Sequence, residues 1–283
     1  MIVPEQVAVL LRALVYAGAV LSAGGILFAA SFPHARAAIA AALQRQIVAG
    51  FLILLLIEPL RYAAFQLAIA EGDPSLAFGP DLRFMGLETP IGQAAAVRLV
   101  AAAVLVAAGL RWQRLGLAAA LLVIGSFLIE GHTASGEARI LAAPLLFLHL
   151  AAVYWWLGAL FPLMAVLRRA EPAAAVAVIE GFARRALYVV GGLLAAGALL
   201  AVLLTGGVLN LDSAYQQRLL LKLALVAVLL SIAAFNKLRL TPLLARDYPL
   251  GATRLRASIR IEMAVAALIL SASAWLVATA PDS

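Results

Sequence analysis

The chain has 283 residues, of which 65% are hydrophobic and 12% charged, with a mean hydropathy of +1.06. A soluble domain carries about 25% charged residues, and these apolar segments are too long and too many for one water-bounded core, so the composition excludes a soluble protein and requires a polytopic α-helical membrane protein. The net charge of +7 is not a nucleic-acid footprint, because the bases sit between apolar segments where they fix orientation.

Met1 to Gln6 holds one acid and no base and runs straight into an apolar segment, so no signal peptide is expected. Eight spans of bilayer length follow in a single transmembrane domain over residues 1–283. They are Val7 to Ala30, Ile47 to Ala70, Ile91 to Leu110, Leu115 to Gly131, Leu141 to Leu167, Ala186 to Leu209, Leu219 to Phe235 and Ile259 to Ala280. The third and fourth are joined by Arg111-Trp112-Gln113-Arg114 and form a tight hairpin. Runs such as Phe51-Leu52-Ile53-Leu54-Leu55-Leu56-Ile57 exclude the alternation of a membrane β-barrel. Glu71 to Pro90 contains Pro74, Gly79, Pro80, Gly86 and Pro90 and reads as an irregular loop.

The loops alternate in charge. Arg36 and Arg45, Arg111 and Arg114, Arg168, Arg169, Arg184 and Arg185, and the run from Lys237 to Arg260 lie at one end. Glu71, Asp73, Asp81, Glu88, Glu137 and Asp212 lie at the other, with Arg83 and Arg139 as the bases. The positive-inside rule places the basic loops in the cytoplasm, and both termini then face outward, the periplasmic side if the membrane is a bacterial inner membrane.

An ionisable group within a span needs a partner or a purpose, since its burial costs ~2.5–3.5 kcal/mol at the centre. Glu58, Arg61, Arg98, Glu130, His132, His149 and Lys222 are such groups, all in the outer half. Glu58 and Arg61 are three apart and share a helix face, so they are expected to pair. Arg98 lies deeper and is expected to have a carboxylate or carbonyl partner. Lys222 is placed to snorkel outward. Glu262 lies near the cytoplasmic end and is expected to balance Arg256 or Arg260.

The chain has no cysteine and three histidines. His34 falls in a basic loop. His132 closes the fourth span, and His149 lies about two turns into the fifth, whose start is softened by Pro144. Antiparallel neighbours joined by a short loop would bring these imidazoles together near the outer surface. Two imidazoles suit Cu(I), Cu(II) with added oxygen ligands, or the axial positions of a haem. Glu130 and, in the outer loop, Met85 are weaker ligand candidates. On a continuous helix Met164 falls near the face of His149, ~22 Å further in, where core packing explains it best.

Several motifs fall in an ordered series. They are Thr89-Pro90-Ile91-Gly92 with Arg98, Gly131-His132-Thr133-Ala134, and His149-Leu150-Ala151-Ala152 through Trp156-Leu157-Gly158-Ala159-Leu160. Thr205-Gly206, Leu220-Leu221-Lys222, Asn236 to Pro242 and Leu255-Arg256 with Glu262 follow. The series resembles the copper resistance D family of bacterial inner-membrane proteins, over most of the chain and most clearly from Thr89 onward. The resemblance implies an eight-helix protein that moves copper from periplasm to cytoplasm, often beside a periplasmic copper-binding protein. His132 and His149 carry over as its ligand candidates.

The residues therefore lead to a copper-binding transporter as the first expectation. No phosphate-binding Gly-rich loop with Lys is present, so nothing points to ATP use; a transporter is expected ahead of an enzyme. The alternative is a b-type haem protein in electron transfer or copper and quinone redox chemistry. His132 and His149 would then be axial ligands, and Arg61, Arg98 and Lys222 would face the propionates. A third reading is a membrane partner that stabilises a periplasmic copper chaperone.

Overall fold

A computed structural model describes residues 5–80, 85–130, 139–208 and 210–279 of the chain. Among them every regular element is helical. The helices are α1 (Glu5–Ser31), α2 (Pro33–Ile69), the short α3 (Pro74–Ala77), α4 (Pro90–Val104) and α5 (Gln113–Gly125). They continue as α6 (Arg139–Leu157), α7 (Leu160–Arg169), α8 (Pro172–Thr205), α9 (Ala214–Phe235), α10 (Thr241–Arg246) and α11 (Tyr248–Val277). Large apolar side chains cover the outside, including Leu52, Leu55, Leu56 and Leu60 on α2 and Leu220, Leu221 and Leu223 on α9. That outer surface suits hydrocarbon and not water.

Seven of the described helical segments are long and apolar enough to cross a membrane. The expected fourth span is shorter: α5 and its 3₁₀ extension Ser126–Leu128 form the apolar segment Gln113–Leu128. Other helices outrun their expected spans. The interval before Ile47, expected as loop, is helical from Pro33, and His34 lies exposed in the first turn of α2. Proline near the start presets the backbone, and the alanines that follow favour helix. The 37 residues of α2 extend about 55 Å, well beyond a hydrocarbon layer of about 30 Å. Similarly, α8 starts at Pro172 and α11 at Tyr248, each with proline in its first turn. Apolarity marks where a helix meets lipid, not where its hydrogen bonds begin.

The expected irregular loop holds two ordered turns. Asp73 Oδ1 accepts from Ser75 N at 2.8 Å and starts α3. Met85–Leu87 form a 3₁₀ turn. Thr89 Oγ1 then accepts from Gly92 N at 3.2 Å and caps α4.

The centre of the bundle is α1, which packs against α2, α5, α6 and α11. Its buried face is built from small residues, among them Ala19, Ser22, Ala23, Gly24 and Gly25. Around this axis α8 packs on α6, and α9 packs on α11.

The expected fifth span is broken. Helix α6 ends at Leu157 and α7 begins at Leu160. At the break Gly158 lies against Gly24 of α1; a Cβ on either glycine would sit 2.4 Å from the other's Cα. The buried Gln46 of α2 closes the gap: its Nε2 donates to Gly158 O at 3.0 Å and to Leu21 O at 3.1 Å. One amide thus ties α1, α2 and the break together and satisfies a carbonyl that water cannot reach. The break also removes the continuous-helix register that related Met164 to His149. Met164 packs against the hydrophobic core.

Gly158→Ala is expected to destabilise the protein by about 1–3 kcal/mol, the usual cost of overpacking. A lower unfolding temperature in detergent is the readout, and an unchanged one contradicts the close approach.

Candidate functional site

Toward the acidic end of the bundle, two arginines and two glutamates form a closed ring. Arg61 Nε donates to Glu58 Oε2 at 3.0 Å, and Arg61 Nη2 donates to Glu130 Oε2 at 2.8 Å. Arg98 Nη2 donates to Glu130 Oε1 at 2.7 Å, and Arg98 Nη1 closes the ring on Glu58 Oε1. Every carboxylate oxygen in the ring faces a guanidinium, and the four charges sum to zero. The side chain of Arg98 is 0% exposed and that of Glu58 1% exposed, so screening by water is minimal and pairing is obligatory.

Three pieces of chain bring these groups together. Glu58 and Arg61 lie one turn apart on α2, as expected from their spacing, and Arg98 lies on α4. Glu130 follows the 3₁₀ turn Ser126–Leu128, where α5 has ended early. That early end lets Glu130 turn toward the bundle. The ring therefore staples α2, α4 and the end of α5.

Aromatic and hydroxyl groups complete the setting. Arg98 Nε donates to Ser126 Oγ at 3.0 Å, and Ser126 Oγ donates to Val123 O at 2.7 Å. The Arg98 guanidinium lies 3.9 Å from the centre of the Phe127 ring, a cation–π contact strengthened by burial. Tyr16 of α1 and Tyr154 of α6 meet Phe127 edge-on at 5.5 and 6.3 Å. Sequence reading missed Ser126, Phe127, Tyr16 and Tyr154. The signal for Ser126 was its place one turn before Glu130.

The histidine region is separate in its contacts. His149 of α6 is partly buried and points toward α8, with Nδ1 3.3 Å from Leu193 O. Because a carbonyl only accepts, Nδ1 is the donor in this contact, and in the neutral imidazole Nε2 then keeps its lone pair. Gly197, one turn beyond Leu193, makes room for the ring: a Cβ there would lie 3.2 Å from the His149 Nδ1 and Cε1 atoms. Lys222 of α9 is near enough to act electrostatically on His149, and no ion pair of Lys222 occurs among the described residues.

His132 and the side chain of Met85 lie outside the described residues. The expected juxtaposition of His132 with His149 falls outside them for the same reason. Glu130, a weaker ligand candidate, has both oxygens engaged by arginine. Among the described residues no group of three or more His, Cys, Asp or Glu side chains is arranged to hold a metal.

Glu262 corrects another expectation. It is not balanced by Arg256 or Arg260. Its Oε1 accepts from Asn236 Nδ2 at 2.9 Å, with both residues buried. The cause is the backbone at Asn236–Leu240, a π-helical turn that continues α9 and carries Asn236 to the face of α11.

Arg98→Met leaves two buried carboxylates short of a partner and is expected to cost about 3–5 kcal/mol. Arg98→Lys keeps the charge but loses the planar fork that reaches two carboxylates and a hydroxyl, so it is expected to be destabilised as well. Denaturation of both variants in detergent tests this, and native-like stability of Arg98→Lys counts against the fork.

Two family descriptions match the chain. "Copper resistance protein D" matches residues 176–276, and "Copper resistance protein D-like, N-terminal domain" matches residues 3–141. A curated relative, Copper resistance protein D of Pseudomonas syringae pv. tomato, is 30% identical over 225 residues, covering 72% of this chain and 73% of the relative. No solved structure matches. With both halves matched in order and the relative aligned across most of its length, this chain belongs to the copper resistance D family.

Proposed function

We propose that this chain binds copper at the periplasmic face of a bacterial inner membrane and passes it toward the cytoplasm, and so contributes to copper resistance. Family membership supports the copper role. The observation that carries the site is the state of His149. Its Nδ1 is committed to the Leu193 carbonyl at 3.3 Å, the outer-shell arrangement that orients a metal-binding imidazole and leaves Nε2 as the ligand.

His132 is the second ligand in this reading. It lies in the segment that leads from Glu130 into α6, the helix that carries His149. Glu71, Asp73, Asp81 and Glu88 in the neighbouring acidic segment would raise the local cation concentration. A periplasmic copper-binding protein is the natural donor to such a face. Copper is here a cargo, so the imidazoles must hold it weakly enough to release it. The break at Gly158–Ala159 lies inward of His149 on the same stretch of chain, and it gives this stretch a joint at which to move.

Elemental analysis of the purified protein in detergent tests the reading. Copper is expected, with stoichiometric binding lost in His149→Ala and in His132→Ala while both variants still fold. Copper retained in both variants overturns the site, and iron near one per chain overturns the copper assignment. Copper binding to neutral imidazole is also expected to weaken as pH falls, because protons compete for Nε2. Copper retention measured from neutral to acidic pH checks the sign.

A further inference from the structure

The pair Asn236 and Glu262 lies far from the ion-pair ring along the sequence and has a different chemistry. Glu262 is 5% exposed and Asn236 8% exposed. The amide Nδ2 donates to Glu262 Oε1 at 2.9 Å. The amide Oδ1 is buried and has no hydrogen-bond partner among the described residues. The backbone of Asn236 is pinned by Thr241 Oγ1, which donates to Asn236 O at 3.1 Å. The π-helical turn thus holds the amide against α11, as π turns often hold functional side chains.

An orphaned acceptor beside a carboxyl group identifies what is missing. An ionised carboxylate offers only acceptors and leaves Oδ1 unsatisfied. It is also a buried charge with one neutral hydrogen bond, an unfavourable state. A protonated carboxyl carries one O–H donor and no charge. A protonated Glu262 therefore supplies the kind of group that Oδ1 lacks, while Oε1 accepts from Nδ2.

The surrounding charges do not provide another solution. On its own helix Glu262 has Arg254, Arg256 and Arg260 nearby in sequence. The π turn brings Lys237 and Arg239, α10 brings Arg246, and α7 brings Arg168 and Arg169. The other packed helices carry Arg218 and Lys222 on α9 and Glu5 and Arg12 on α1. None of these forms an ion pair with Glu262, and Arg218 reaches Glu5 instead.

An open groove lies along the neighbouring stretch of α11. A groove of about 540 Å³ between α9 and α11 is lined by Ser231, Phe235, Leu240, Arg254, Ser258 and Ile261. Arg254, Ser258 and Glu262 recur every four residues and so share one face of α11. Arg254 is exposed at the basic end, and Ser258 is buried one turn before Glu262.

We propose that Glu262 and Asn236 form a proton-binding site at the basic end of the bundle, in which Glu262 takes up one proton and donates it in a hydrogen bond to Asn236 Oδ1. The step is carboxylate plus proton giving carboxylic acid, with no other bond made or broken. This site stands independently of the copper reading.

Infrared difference spectroscopy of the purified protein, titrated from acidic to alkaline pH, tests the site. A carboxylic-acid carbonyl band is expected to persist at neutral pH, to shift in D₂O and to vanish in Glu262→Gln. That variant folds, because its amide still supplies a donor to Oδ1. In Asn236→Leu the band is expected to move to higher frequency as the amide bonds are lost. A neutral-pH band unchanged in Glu262→Gln, or no such band in the unmodified protein, overturns the proposal. Conversion of the band to a carboxylate signal by added sodium ions also overturns it, in favour of a metal-cation site.

Discussion

The closed ring of Glu58, Arg61, Arg98 and Glu130 sets the constraint that the acidic end of the bundle obeys. Buried charges are tolerated only where each finds its opposite, and here each carboxylate meets two guanidinium groups. The geometry permits little slack, because Arg98 must reach two carboxylates and Ser126 from one planar fork. The early end of α5, the placement of α4 beside α2 and the aromatic contacts of Phe127 are all compatible with that fork.

Deeper in the bundle a different economy operates. Lipid offers no hydrophobic drive for helix association, so close packing and internal hydrogen bonds must supply it. The small face of α1 allows Gly24 to meet Gly158, and Gln46 spends its amide on the carbonyls at that meeting point. The chain can therefore interrupt a helix inside the membrane without leaving Gly158 O unsatisfied. The same logic recurs at the π turn after α9, where Thr241 bonds the Asn236 carbonyl.

Much of this architecture was legible in the sequence because it rests on local rules. Apolar length marked the membrane-crossing helices, and a spacing of three placed Glu58 beside Arg61. A carboxylate partner for Arg98 followed from the cost of burying a lone charge. Other features depended on backbone events that composition does not reveal. Glu130 turned into the ring because α5 stopped early. Met164 lost its relation to His149 because the helix broke at Gly158. Glu262 found Asn236 and not a nearby arginine because Asn236 opens a π turn that packs on α11. Helix starts were missed for a simpler reason: alanine-rich, proline-led segments such as the one from Pro33 are good helices without being apolar enough to read as spans.

The neutrality of the ring has an electrical consequence. A unit charge moved across the full membrane potential gains or loses ~2.3 kcal/mol per 100 mV. Two positive and two negative groups held within hydrogen-bonding distance move together as a multipole with no net charge. Helix displacements that carry the ring as one body are therefore insensitive to transmembrane voltage to first order. The cell's resting potential acts instead on charges that travel singly.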